Sequence, residues 1–155
     1  ADCVLICTNT MHIIADQVRA KSPAKLIDII DETGKALAKA NARRPLLLAT
    51  RYSMEHGFYH DRMMDLHGID LLDPDAAGRD AMHAIIFEEL CCGIVRDESR
   101  AVVTSIIEQG RAQGADSVIL GCTEICLLIG QENTALPVFD STAIHIAAAV
   151  DFALN

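Results

Sequence analysis

Apolar residues in this chain occur in two recurring patterns. Short stretches rich in apolar residues at Val4–Cys7, Ala24–Ile30, Pro45–Ala49, Ile69–Leu72, Val118–Leu120 and Leu136–Phe139 predict short strands. Between them, apolar side chains recur every three or four positions and predict helices. One runs from His12 to Lys21 on Ile13, Ile14 and Val18 and stops at Ser22-Pro23. A second starts at Asp31-Glu32-Thr33 and continues through Leu37 to Ala42. A third begins at Thr50-Arg51-Tyr52-Ser53, reaches about Leu66 and ends at Gly68. The stripe Met82, Ile85, Ile86, Leu90 predicts a long helix from about Asp75 to Cys92, closed by Gly93. Val102, Ile106 and Ile107 place another over Glu98–Gln113, and the Asp140-Ser141-Thr142 cluster caps a last one over Ile144–Leu154. Strands that alternate with helices predict an α/β class with mainly parallel sheets.

One strand pattern occurs twice. The stretch Gly114-Ala115-Asp116-Ser117-Val118-Ile119-Leu120-Gly121-Cys122-Thr123-Glu124 lies without gaps over the N-terminus, pairing Ala115 with Ala1, Asp116 with Asp2, Val118 with Val4 and Cys122 with Thr8. The carboxyl ends of such strands are where open α/β sheets place ligands. Two equivalent strand ends therefore predict two facing walls.

Composition narrows the class. At 155 residues and 51% hydrophobic content the chain can bury one ordinary core or two small lobes, with Arg43-Arg44-Pro45 as the boundary. A net charge of −9, no basic cluster and 4% aromatics argue against a nucleic-acid or membrane-surface partner, and leave a small anionic substrate open. The apolar runs fall short of the roughly 20 residues of a membrane helix. Six cysteines without the spacing of a secreted scaffold fit a cytoplasmic location. No Gly-rich phosphate loop follows any strand, so nucleotide binding has no support. The chain opens at Ala1 already inside a strand pattern, from which upstream sequence is expected to be absent.

Cys122 is the first candidate for chemistry. At a strand end beside Thr123 and Glu124, and ahead of an expected helix start, a thiol would be stabilised as thiolate and serve as acid, base or nucleophile; equally, a free cysteine is often a small buried hydrophobe. Thr8-Asn9-Thr10 supplies hydroxyl and amide groups at the other strand end, suited to a carboxylate or ammonium, or to plain turn chemistry. Cys7 adjoins Thr8, but strand alternation is expected to turn it away. His56 and His60 share a helix face without a third metal ligand, so no metal site is assigned. Cys91-Cys92 reads as core or helix-end packing, Met63-Met64 as core, and Cys3 and Cys126 have no identifiable partner. His12 and His145 either orient a site group or sit as satisfied helix-start histidines.

The motifs Cys-Thr-Asn-Thr-Met-His at 7–12, Ala-Thr-Arg-Tyr-Ser-Met-Glu at 49–55, Gly-Cys-Thr-Glu-Ile at 121–125 and Pro-Val-Phe-Asp-Ser-Thr-Ala-Ile-His at 137–145 together resemble the aspartate/glutamate racemase family. The likeness runs the whole length and is greatest to the bacterial L-aspartate/glutamate-specific members. It implies two pseudo-symmetric α/β lobes with mainly parallel sheets flanked by helices, the active site lying between them. Residues 1–43 with 137–155 would be the remainder of a first, incomplete lobe, and 44–136 the second; roughly the first third of a family member has no counterpart. The resemblance further implies interconversion of L- and D-aspartate or glutamate without pyridoxal phosphate or another cofactor, and by analogy a homodimer. Such a reaction removes the α-proton on one face and returns a proton on the other, which needs two facing acid/base groups. Thiols suit this, with an ordinary pKa of about 8.5. Where the family usually has two cysteines, this chain has Cys122 and Thr8. By the same carry-over Thr8, Asn9, Thr10, Thr123 and Glu124 would contact the substrate's carboxylate and ammonium, with Arg51 as a further candidate for an acidic side chain. Ala49 stands where the family often has glycine.

The two enantiomers have equal free energy, so their interconversion must have equal kcat/KM in both directions. Threonine at position 8 should therefore slow both. The alternatives are an isomerase or decarboxylase of another small acid on the same scaffold, such as maleate, a hydantoin or an arylmalonate, or a folded fragment that binds without catalysis.

Overall fold

A computed structural model describes residues 1–155. Every strand pairs parallel. β1 (Cys3–Leu5) pairs β2 (Lys25–Ile27) with Cys3 opposite Lys25. The second sheet has the order β3-β4-β5, from β3 (Pro45–Leu48), β4 (Ser117–Leu120) and β5 (Val138–Asp140). Its register sets Pro45 against Ser117 and Val118 against Val138. All residues of β3 and β4 are buried, as expected of apolar runs covered on both faces.

Helices make the crossovers. A 3-10 turn over Thr10–Ile14 and α1 (Ala15–Lys21) join β1 to β2, and α2 (Ile29–Lys39) joins β2 to β3. Between β3 and β4 lie α3 (Arg51–Glu55), α4 (Phe58–His67), α5 (Ala76–Ala84) and α6 (Asp97–Ala112); α7 (Ser141–Leu154) closes the chain against α2. None of these helices is long and apolar enough to cross a membrane.

Several elements differ from the pattern-based expectation. The run Ala24–Ile30 is strand only over Lys25–Ile27, because the buried Asp28 carboxylate accepts from the Ile30 and Asp31 amides and starts α2 ahead of the polar triplet. The expected Thr50–Leu66 helix breaks at Gly57, whose φ of 76° ends one helix and leads into the next. Ile69–Leu72 makes a single bridge, Leu46 to Leu72, rather than a strand. The Asp75–Cys92 helix passes into a π-helical turn over Ile85–Glu89 and a 3-10 turn over Leu90–Cys92. The expected helix after Cys122 is only a 3-10 turn, Ile125–Leu127.

The 28-residue core runs from Ile29 and Leu37 on α2 through β3 and β4 to Ile107 on α6, so it crosses the expected boundary at Arg43-Arg44. Residues 137–155 also divide: β5 completes the second sheet rather than the first, while α7 covers α2.

Candidate active site

The chain leaves β1 through a tight turn in which the Thr8 amide donates to the Ile6 carbonyl at 2.8 Å, and it leaves β4 at Gly121. Between these strand ends lies a cavity of about 380 Å³. Thr8, Asn9 and Thr10 line it from one side and Cys122, Thr123 and Glu124 from the other, so these six candidates meet in one place. Thr50 at the end of β3 and Ile86, Phe87 and Cys91 from the π-helical turn and its continuation complete the lining with Cys7 and Gly121. A wider groove of about 580 Å³ between α2 and α7 contains no thiol.

Hydrogen bonds fix the first wall. His12 is buried; its Nε2 accepts from the Ile29 amide at 3.1 Å, so Nδ1 carries the proton and donates to the Thr8 carbonyl at 2.8 Å. Burial holds this imidazole below its ordinary pKa, against the pull of Asp28, and keeps it neutral. The buried His145 Nε2 lies 2.7 Å from the Ile27 carbonyl, to which it donates. Thr10 Oγ1 stands 3.2 Å from Thr50 Oγ1 and 3.0 Å from Ser53 Oγ, a hydroxyl cluster that joins this wall to the end of β3. Asn9 Nδ2 donates to Ser141 Oγ at 3.1 Å, while the buried Asn9 Oδ1 has no partner.

The second wall carries the titrating pair. The Cys122 thiol donates to Glu124 Oε2 at 3.0 Å. Burial, then the hydrogen bond to this carboxylate, pushes the thiol up to about 12. The Glu124 carboxyl lies below its ordinary value: burial acts to raise it, but bonds from the Cys122 and Thr123 side chains outweigh that. The expected thiolate is thus corrected. With no full helix following Cys122 and a carboxylate beside it, the resting form is a neutral thiol paired with an ionised glutamate.

Two cysteines are also reassigned. Cys7 is exposed and lines the cavity, because β1 stops at Leu5 and strand alternation does not extend to it. Cys91, expected in core or helix-end packing, is exposed at the helix end and lines the cavity too. Ser141 is the residue that sequence reading missed, taken only for part of a cap cluster; nothing local in the chain announces its link to Asn9. The remaining candidates lie elsewhere. Arg51 pairs with Asp80, His60 with Asp73 at 2.8 Å, and His56 stacks on Tyr52. Met63 is core but Met64 is exposed, and the Cys126 thiol donates to the Thr123 carbonyl.

The sequence that forms these two strand ends matches a known family pattern: that of the Asp/Glu/Hydantoin racemase family covers residues 1–149. The chain belongs to this family. It is 43% identical to a Yersinia pestis protein assigned to the Asp/Glu racemases, with a TM-score of 0.95 over 100% of this chain and 67% of that one. It is 31% identical to an aspartate racemase homologue of Pyrococcus horikoshii, with a TM-score of 0.91 over 100% of this chain and 68% of the other. An aspartate racemase of Picrophilus torridus, at 24% identity and a TM-score of 0.76 over 98% of this chain and 62% of that one, shares the fold. The chain is thus a racemase-type α/β protein.

Proposed function

We propose that this member of the racemase family interconverts L- and D-forms of aspartate or glutamate by moving the α-proton between Cys122 and the Thr8 side of the cleft. The observation that carries the reading is the Cys122 thiol in the cleft, 3.0 Å from the Glu124 carboxylate and facing the Thr8 strand end. Glu124 is the nearest acceptor for the thiol proton, and a substrate ammonium arriving in the cleft would favour the thiolate by its charge. The thiolate then takes the α-proton of the L-isomer. Thr8 is a poor partner: a hydroxyl can hold and relay a proton through water but does not become a base near neutral pH. Exchange of the L-isomer's α-proton should therefore outrun racemisation. No cofactor enters this scheme. In this reading residues 1–43 and 44–136 supply the opposite walls, with Ser141 at the start of α7 bonded to both.

The test is α-proton exchange in D₂O with L- and D-glutamate and L- and D-aspartate. Exchange of an L-isomer that disappears in Cys122→Ala supports the reading; exchange that survives in that variant overturns it.

One observation favours a second substrate. The twelve lining residues include no lysine or arginine, and one side of the cleft is Ile86 and Phe87. A side-chain carboxylate finds no cation among them, whereas a neutral 5-substituted hydantoin needs none. Exchange at the hydantoin C5 position, with none for the four amino acids, would select that reading.

A further inference from the structure

Ser141 is fully buried at the start of α7, and its hydroxyl holds partners that are distant in the chain. Its Oγ donates to the Leu120 carbonyl at 2.7 Å and meets the Asn9 amide group at 3.1 Å. Counting protons settles the direction of the second bond. A carbonyl can only accept, so the one hydroxyl proton of Ser141 is committed to Leu120. What remains on Ser141 are lone pairs, so the end of the Asn9 side chain that faces them must be its NH₂. Oδ1 is then the end left over. It is buried, it has no partner, and Asn9 lines the cleft.

We infer that Ser141 is a positioning residue that locks the Asn9 amide so that this wall offers the ligand a hydrogen-bond acceptor. The group seated there is an N–H donor: in the amino-acid reading on which this rests, the α-ammonium and not the α-carboxylate. The same hydroxyl sets the spacing of the two walls. Leu120 stands two residues before Cys122 and Asn9 directly after Thr8, so one oxygen ties the strand end that bears the thiol to the turn that faces it.

The test compares the kinetics of α-proton exchange in wild type, Ser141→Ala, Ser141→Thr, Ser141→Cys, Asn9→Ala and the Ser141→Ala/Asn9→Ala double variant, using whichever isomer the wild type exchanges. Ser141→Ala should raise KM about tenfold or more with a smaller change in kcat, as for a bond to a charged donor made in ground and transition states alike. Threonine should restore KM. Cysteine, a donor to Leu120 but a poor acceptor for Asn9, should carry most of the loss while keeping the fold. In the absence of Asn9 the alanine change should add little. Additive losses, or a wild-type KM in both Ser141→Ala and Ser141→Cys, overturn the inference. A wild-type protein that exchanges no isomer overturns the amino-acid reading instead. The Asn9 NH₂ signals in ¹H–¹⁵N spectra then decide: solvent exchange that is slow in wild type and fast in Ser141→Cys supports the lock, whereas exchange that is fast in wild type or unaltered in the variant overturns it.

Discussion

The wall after β1 and the wall after β4 begin from nearly the same residues and are held in different ways. β4 is the middle strand of its sheet, buried along its length, and the Asp116 carboxylate before it accepts from the Arg43 and Arg44 amides at 2.6 and 2.9 Å. The corresponding Asp2 is exposed, and β1 is half-buried with β2 as its one neighbour. What β4 gains from packing, the first wall gains from side-chain bonds: His12 on the Thr8 carbonyl, Thr10 within its hydroxyl cluster, Asn9 on Ser141. The consequence is a division of labour. On the second wall burial and the neighbouring Glu124 carboxylate act together on the Cys122 thiol, so the titrating pair sits there. The first wall presents neutral donors and acceptors in set directions. A repeated sequence thus yields two surfaces with different chemistry, because the surroundings of each copy differ.

The largest effect expected from breaking this asymmetry is the loss of the thiol. Cys122→Ala should lower α-proton exchange of the L-isomer by about a hundredfold to ten-thousandfold, the usual contribution of a positioned acid or base. Exchange at the wild-type rate would mean that the second wall does not hold the base. Thr8→Cys makes the two walls chemically alike. Exchange of the D-isomer, and racemisation with it, should rise about tenfold or more; an unchanged rate in a folded variant would show that position 8 does not face the α-carbon.

Packing supplies a third test. A Cβ at Gly121 would lie 2.8 Å from Leu47 Cδ1 and 3.2 Å from the Leu48 carbonyl oxygen. Gly121→Ala should cost about 1–3 kcal/mol in urea unfolding, as overpacking of a buried strand end does. A variant as stable as wild type would show that the strand end at Gly121 has room for a methyl group.

The smallest effect concerns pH. With Cys122 raised to about 12, its unfolded counterpart, at the ordinary thiol value, loses its proton first as pH rises. The thiol's contribution to stability is full below the ordinary value and is lost progressively up to about 12. Glu124→Gln removes the carboxylate that, after burial, does most to raise this pKa. Iodoacetamide should then label Cys122 a few-fold faster at pH 9, read by peptide mass spectrometry, since the thiolate fraction grows as the pKa falls. Slower labelling would reverse the electrostatic assignment.

Local chemistry made much of this legible in the sequence. Apolar runs at Pro45–Ala49 and Val118–Leu120 became β3 and β4 because a run buried on both faces needs no partner-specific information. The duplicated strand ends led to the cleft and to all six residues first named in it. Errors arose where a choice between neighbours was settled by contacts. Asp28, not the Asp31 triplet, starts α2, since its buried carboxylate lies against Arg19 as well as the Ile30 and Asp31 amides. Cys7 lines the cleft rather than facing away from it because the strand ends two residues earlier than its apolar run. Cys91 faces the cleft because of a π-helical turn that the regular helical stripe does not show.

By itself the sequence determined the order of elements, the parallel pairing they demand, and the residue types at both strand ends, since periodicity, capping and the two-residue or 3.6-residue repeat are properties of neighbours in the chain. Tertiary structure decided the protonation of Cys122 and the direction in which Asn9 faces. The first depends on how much water burial removes and on where the Glu124 carboxylate comes to rest. The second depends on a hydroxyl 132 positions away in the chain. Desolvation and long-range hydrogen bonds exist only once the chain has folded, and in this protein they act directly on the groups proposed to carry the chemistry.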